Sequence, residues 1–125
     1  MTHYHFIASN VEIESEYLKK AKVEMDEKFE ESKCKVQYIL EYDPSKAELT
    51  KVYETLVDFV ANATHDYILL EIAYGLSAYG KPLKVDKRYN IDIKEFRKKH
   101  LIELEEDEMI CIERNKWVVR DFENN

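Results

Sequence analysis

Glu71 stands alone in an apolar run, Tyr67-Ile68-Leu69-Leu70-Glu71-Ile72-Ala73-Tyr74. A carboxyl held away from water could serve as a general base or a nucleophile. In strand phase Glu71 opposes Ile68, Leu70 and Ile72, which puts it on a solvent face or beside a basic side chain. That structural role is the preferred reading. His3 and His5 are two apart, so both project from one face of a strand and could share a metal. No further ligand stands near them, and His65 and His100 are remote in sequence. A partly exposed polar strand face is therefore preferred to a metal site, and no cofactor is implied. Cys34 and Cys111 sit far apart in alternating apolar runs and read as small buried hydrophobes of a reducing compartment.

Charge supplies the second group of candidates. The chain has 125 residues and a formal net charge of -7. Residues 1–80 carry net -7, residues 81–100 net +5 and residues 101–125 net -5. The basic run holds Lys81, Lys84, Lys87, Arg88, Lys94, Arg97, Lys98 and Lys99, with Tyr89 and Phe96 among them. Basic residues interleaved with aromatics could hold single-stranded nucleic acid. However, Tyr89 and Phe96 also fall at core phases, and an acidic chain is a poor general binder of phosphate. Glu103, Glu105, Glu106, Asp107 and Glu108 form the densest acidic cluster. It lacks the sharp-turn Gly of a calcium loop; a solvated loop before the hairpin is the preferred reading, and electrostatic docking of a basic protein is the alternative. Within these runs Lys84, Lys87, Arg88, Arg97, Lys98, Lys99 and Glu105 to Glu108 are the candidate contact residues.

One local resemblance touches Glu71. The stretch Glu71-Ile72-Ala73-Tyr74-Gly75-Leu76-Ser77-Ala78-Tyr79-Gly80-Lys81-Pro82-Leu83 resembles a helix-to-strand segment of the nucleoside 2-deoxyribosyltransferases. It covers about a tenth of the chain. The resemblance implies a helix that ends in the Gly-Lys-Pro turn, with Glu71 as nucleophile in a nucleoside-type transferase or hydrolase. The first strand lacks the Gly-containing turn of that family, and no aspartate-bearing loop stands where its substrate contacts would be.

The elements that must position these residues follow from periodicity. Residues 2–8 alternate as a strand, with Tyr4, Phe6 and Ala8 on one face and His3, His5 and Ile7 on the other. A helix is expected from Ser15 to about Ser32, with Leu18, Ala21, Met25 and Phe29 as its stripe. Cys34, Val36, Tyr38, Leu40 and Tyr42 line one face of the next strand. Lys33, Lys35, Gln37 and Glu41 line the other, which Ile39 shares. Ser45-Lys46-Ala47-Glu48 has capping-box spacing and opens a second helix. Leu49, Val52, Tyr53, Leu56, Val60 and Ala63 form its stripe.

Residues 66–79 fit either period, and the strand is favoured over the helix. A loop from Gly75 to Gly80 then leads to a partner strand holding Leu83, Val85, Tyr89 and Ile91. Asp92 caps a short helix to about His100, with Phe96 and Leu101 inside and the basic residues at its end. Met109 to Glu113, a turn at residues 114–116, and Trp117 to Val119 read as a closing hairpin, after which residues 121–125 fray.

The expected fold is a single α+β domain. A mixed or antiparallel sheet carries two main helices on one face, a short third helix and a C-terminal hairpin. An α/β layer fold with a parallel sheet is the alternative. No apolar run approaches the ~20 residues of a membrane helix, and the start lacks a signal-peptide pattern, so a cytoplasmic location is expected. The expected function is a non-enzymatic interaction, regulatory or inhibitory module whose partner is another protein. Neither nucleic acid nor a membrane is the expected partner.

Overall fold

A computed structural model describes residues 2–19, 34, 36–40, 45–77 and 85–115. The order is β1 (Thr2–Ser9), α1 (Glu16–Lys19), β2 (Val36–Leu40), α2 (Lys46–Asn62), β3 (Tyr67–Ser77), β4 (Lys87–Asp92), a 3-10 turn (Ile93–Glu95), α3 (Lys98–Ile102) and β5 (Glu108–Asn115). The strands form one five-stranded sheet in the order β2-β1-β3-β5-β4. Every neighbouring pair is antiparallel except β4 and β5, which run parallel. The fold is α+β with a mixed sheet.

One face of the sheet carries the helices. Ile7, Tyr38, Ile68, Leu70, Ile72, Ile110 and Ile112 pack there against Leu49, Val52, Leu56 and Val60 of α2. Leu18, Phe96 and Leu101 join the same cluster. The α2 stripe forms where helical spacing predicts it, and Ser45 Oγ accepts a hydrogen bond from the Glu48 backbone N–H at 3.2 Å. Half-buried Tyr53 donates its hydroxyl to the Phe96 carbonyl at 3.2 Å, which ties α2 to the segment before α3. Of the first expected helix only Glu16–Lys19 is described, and Ala21, Met25 and Phe29 lie outside the described residues.

The opposite face is also covered. Phe6, Ala8, Ala73, Met109 and Cys111 form a second buried cluster with Cys34, and Ile39, Leu69 and Val85 pack against it. This burial corrects one expectation: Cys34 belongs to this cluster rather than to the Val36–Tyr38 face. Gln37 lies on the face opposite Tyr38, as expected, and is buried there. Period-2 patterning places residues on faces, but it does not say which faces are covered.

Three boundaries differ from the sequence reading. Residues 67–77 are strand, and β3 continues through Gly75 because Thr2 to Tyr4 pair with Ser77 to Gly75. Residues 78–80 of the expected loop lie outside the described residues, as do Lys84 and the hairpin's second strand. Arg114 and Asn115 extend β5 against Ile68 and Tyr67 instead of turning. Finally, β4 joins β5 through a helical crossover, as a parallel pair requires. The segment after Asp92 breaks at Phe96 and Arg97, so Arg97 is the N-cap of α3. The basic residues 97–99 thus start a helix rather than end one.

Candidate functional site

Sheet register builds the surroundings of Glu71. Gln37, Ala8, Glu71, Cys111 and Asn90 form one lateral row across the five strands. Ile39, Phe6, Ala73, Met109 and Arg88 form the next. Small Ala8 and Ala73 leave room for the carboxylate, which is 1% exposed. Glu71 therefore does not face solvent, contrary to the strand-phase expectation. Its Oε2 lies 3.9 Å from the Cys111 thiol and 3.8 Å from an Arg88 guanidinium nitrogen. Arg88 reaches it across Met109, whose sulfur accepts from the same nitrogen at 3.1 Å. The basic neighbour that the sequence reading allowed for is thus Arg88. The carboxylate's element is a strand, not the helix implied by the resemblance. A buried carboxylate with a guanidinium beside it anchors a polar point within an apolar cluster.

The charged run folds onto itself. Lys87 of β4 stands opposite Glu108 of β5. The Tyr89 hydroxyl donates to Glu108 Oε2 at 2.9 Å, and Glu108 Oε1 accepts from the Glu105 backbone N–H at 2.8 Å. Asp107 has a positive φ of 65°, a conformation that Asp tolerates at little cost. Its N–H donates to the Tyr74 carbonyl, and its own carbonyl accepts from Asp86 and Lys87. The acidic turn therefore seats the start of β4. Glu105 and Glu106 remain exposed, as do Lys98 and Lys99. Arg97 is engaged locally, donating to the Lys94 and Phe96 carbonyls at 2.8 and 2.9 Å. The bond to Glu108 raises the Tyr89 pKa above 10.0.

His5 is buried, not partly exposed, with its ring 4.6 Å from that of Tyr74. The His3 side chain lies outside the described set. Among the described residues no group of three or more His, Cys, Asp or Glu is placed to hold a metal ion.

Local sequence gave no sign of two features. An open groove of about 500 Å³ lies between the segment after β1 and the end of α2. Glu12, Glu14 and Asp58 give it three carboxylates, and Phe59 and Ala63 give it apolar wall. It lies on the helix-covered side of the sheet, away from Glu71. Nearby, Arg114 of β5 closes the end of α2. Its guanidinium donates to the Val60 carbonyl at 2.7 Å and the Ala63 carbonyl at 3.3 Å, and also to the His65 carbonyl. Both features join residues about fifty apart in the chain, which no local pattern marks.

No helix among the described residues is long and apolar enough to cross a membrane. No family model matches the chain, and no curated protein or solved structure matches it.

Proposed function

We propose that this chain is a non-enzymatic interaction module, regulatory or inhibitory in kind, whose partner is a basic protein. The groove beside the end of α2 carries this reading. Glu12, Glu14 and Asp58 line it, and among the described residues neither Lys nor Arg does. A lysine or arginine from a partner would find carboxylates at the rim and Phe59 and Ala63 for its aliphatic stem. The net charge of -7 steers a basic protein toward this surface. Exposed Glu105 and Glu106 add a second acidic margin. The same carboxylates repel nucleic-acid phosphates. Cys34 and Cys111 are buried thiols, and such thiols suit a reducing cytoplasm, where this reading places the protein.

The test is affinity capture from native extract, run beside a charge-reversed chain, Glu12→Lys with Glu14→Lys and Asp58→Lys. A partner of basic isoelectric point, retained stoichiometrically by the unaltered chain and released by moderate salt, is the expected result. The reversed chain should lose it. Equal retention by both chains, or retention of nothing, rejects the groove as the contact surface.

A further inference from the structure

Three side chains of α2 stand in one row along the groove. Thr55, Asp58 and Asn62 line it, and steps of three and four residues put them on one helix face. Two of them have already committed a donor. The Thr55 hydroxyl donates to the Lys51 carbonyl at 2.8 Å, so its oxygen keeps only lone pairs. The Asn62 amide nitrogen donates to the Asp58 carbonyl at 2.8 Å, which leaves Oδ1 as the outward acceptor. With the Asp58 carboxylate between them, this wall offers a line of acceptors. Half-buried Phe59 adds an aromatic ring to it.

The facing wall is pinned by Ile13. That residue is buried, and its N–H donates to the Tyr38 hydroxyl at 3.0 Å. The next residue, Glu14, is exposed and brings a second carboxylate to the groove. Two of the chain's own cations flank this stretch of α2. Lys51, one turn before Thr55, holds its ammonium 4.7 Å from the centre of the Tyr17 ring. Arg114 gives its guanidinium to three carbonyls at the helix end. Both cations are thus engaged away from the Glu14 and Asp58 carboxylates.

Lysine and arginine gain differently from such walls. An ammonium is a compact, strongly hydrated point charge with three donors, and it must shed water to approach an apolar ring. A guanidinium is planar and weakly hydrated, with five N–H donors around its edge. Its face stacks on an aromatic ring while its edge meets carboxylates and other acceptors.

We infer that the groove selects arginine: the basic partner inserts an arginine side chain, its guanidinium edge toward Glu14, Asp58 and Asn62 and its face against Phe59. This inference rests on the groove reading and narrows it from any basic side chain to one.

The test is an NMR titration of the full chain with Nα-acetyl-arginine amide and with Nα-acetyl-lysine amide, probes of equal charge, at millimolar concentrations. The arginine probe should shift the backbone amides of Glu14, Asp58, Phe59 and Asn62 and bind about threefold to fivefold tighter than the lysine probe. Phe59→Leu keeps an apolar wall and both carboxylates. It should weaken the arginine probe alone and bring the two affinities together. The unaltered chain decides even where that variant does not fold. Equal affinities there overturn the selectivity and leave the acidic groove as a docking surface for basic proteins. An arginine preference that survives Phe59→Leu overturns the stacking arrangement. Free arginine binding more tightly than the capped probe marks a small-molecule site and overturns the assignment to a partner's side chain. Shifts from neither probe at the groove overturn this inference and the groove reading together.

Discussion

Arg114 replaces hydrogen-bond partners that α2 cannot supply for itself. The last carbonyls of a helix lack intrahelical donors, and the last turn of α2 has no basic residue. One guanidinium serves Val60, Ala63 and His65 together. Arg114→Met keeps most of the aliphatic volume but strands these acceptors and removes a cation from the negative end of the helix dipole. The expected loss is about 2–3 kcal/mol of unfolding free energy. Arg114→Lys should recover part of it, because an ammonium brings charge without the planar fork. Urea unfolding measures both. A change below about 0.5 kcal/mol for Arg114→Met would reduce these contacts to surface decoration. A turn is the natural reading of Arg114-Asn115-Lys116 from the sequence, because its partners lie some fifty residues away. Glu71 was obscured for the same reason. Its phase along β3 is plain, but its burial depends on Ala8, Cys111 and Arg88, which arrive from three other strands.

At the scale of elements, what could be read from the sequence tracks how local the cause is. The start of α2 is local: Ser45 lies three residues from Glu48 and bonds its N–H. Ser45→Ala should therefore cost about 1 kcal/mol. It should lower the urea midpoint and leave the slope unchanged, since the area exposed on unfolding stays the same. An altered slope would mean that the cap governs more than the helix end. The α2 stripe is equally local, and Leu49, Val52, Leu56 and Val60 are buried as the spacing requires. Residues 67–77 were ambiguous because β3 is apolar on both faces, with Leu69 and Ala73 on one and Ile68, Leu70 and Ile72 on the other. A two-sided strand loses the alternation that separates it from a helix. The parallel pairing of β4 with β5 was not legible at all. It is settled by the crossover through the 3-10 turn and α3, and the break at Phe96 and Arg97 follows from packing Phe96 and Leu101 into the core.

Across the whole molecule, three phenols lie beside carboxylates. Tyr17, Tyr67 and Tyr89 lie on α1, β3 and β4, and each has a carboxylate neighbour: Glu48, Glu113 and Glu108 respectively. All three pKa values stand above the ordinary 10.0. Desolvation leads at Tyr17 and Tyr67, and the hydrogen bond to Glu108 leads at Tyr89. A raised folded pKa means that the folded chain holds its proton after the unfolded chain has released it. The stabilisation is therefore complete below pH 10.0 and is lost as pH rises through the folded values. Ionised phenolates would then sit beside carboxylates on a chain that already carries net -7, and repulsion grows across the molecule. Unfolding free energy from urea titrations should fall steeply only above that pH. Tyrosinate absorbance should show a fraction of the phenols ionising late in folded protein and at the ordinary pH in urea. Replacing the three tyrosines with Phe should flatten the alkaline slope while leaving the neutral plateau in place. An unchanged slope in that variant would assign the alkaline loss to lysine deprotonation rather than to these phenols.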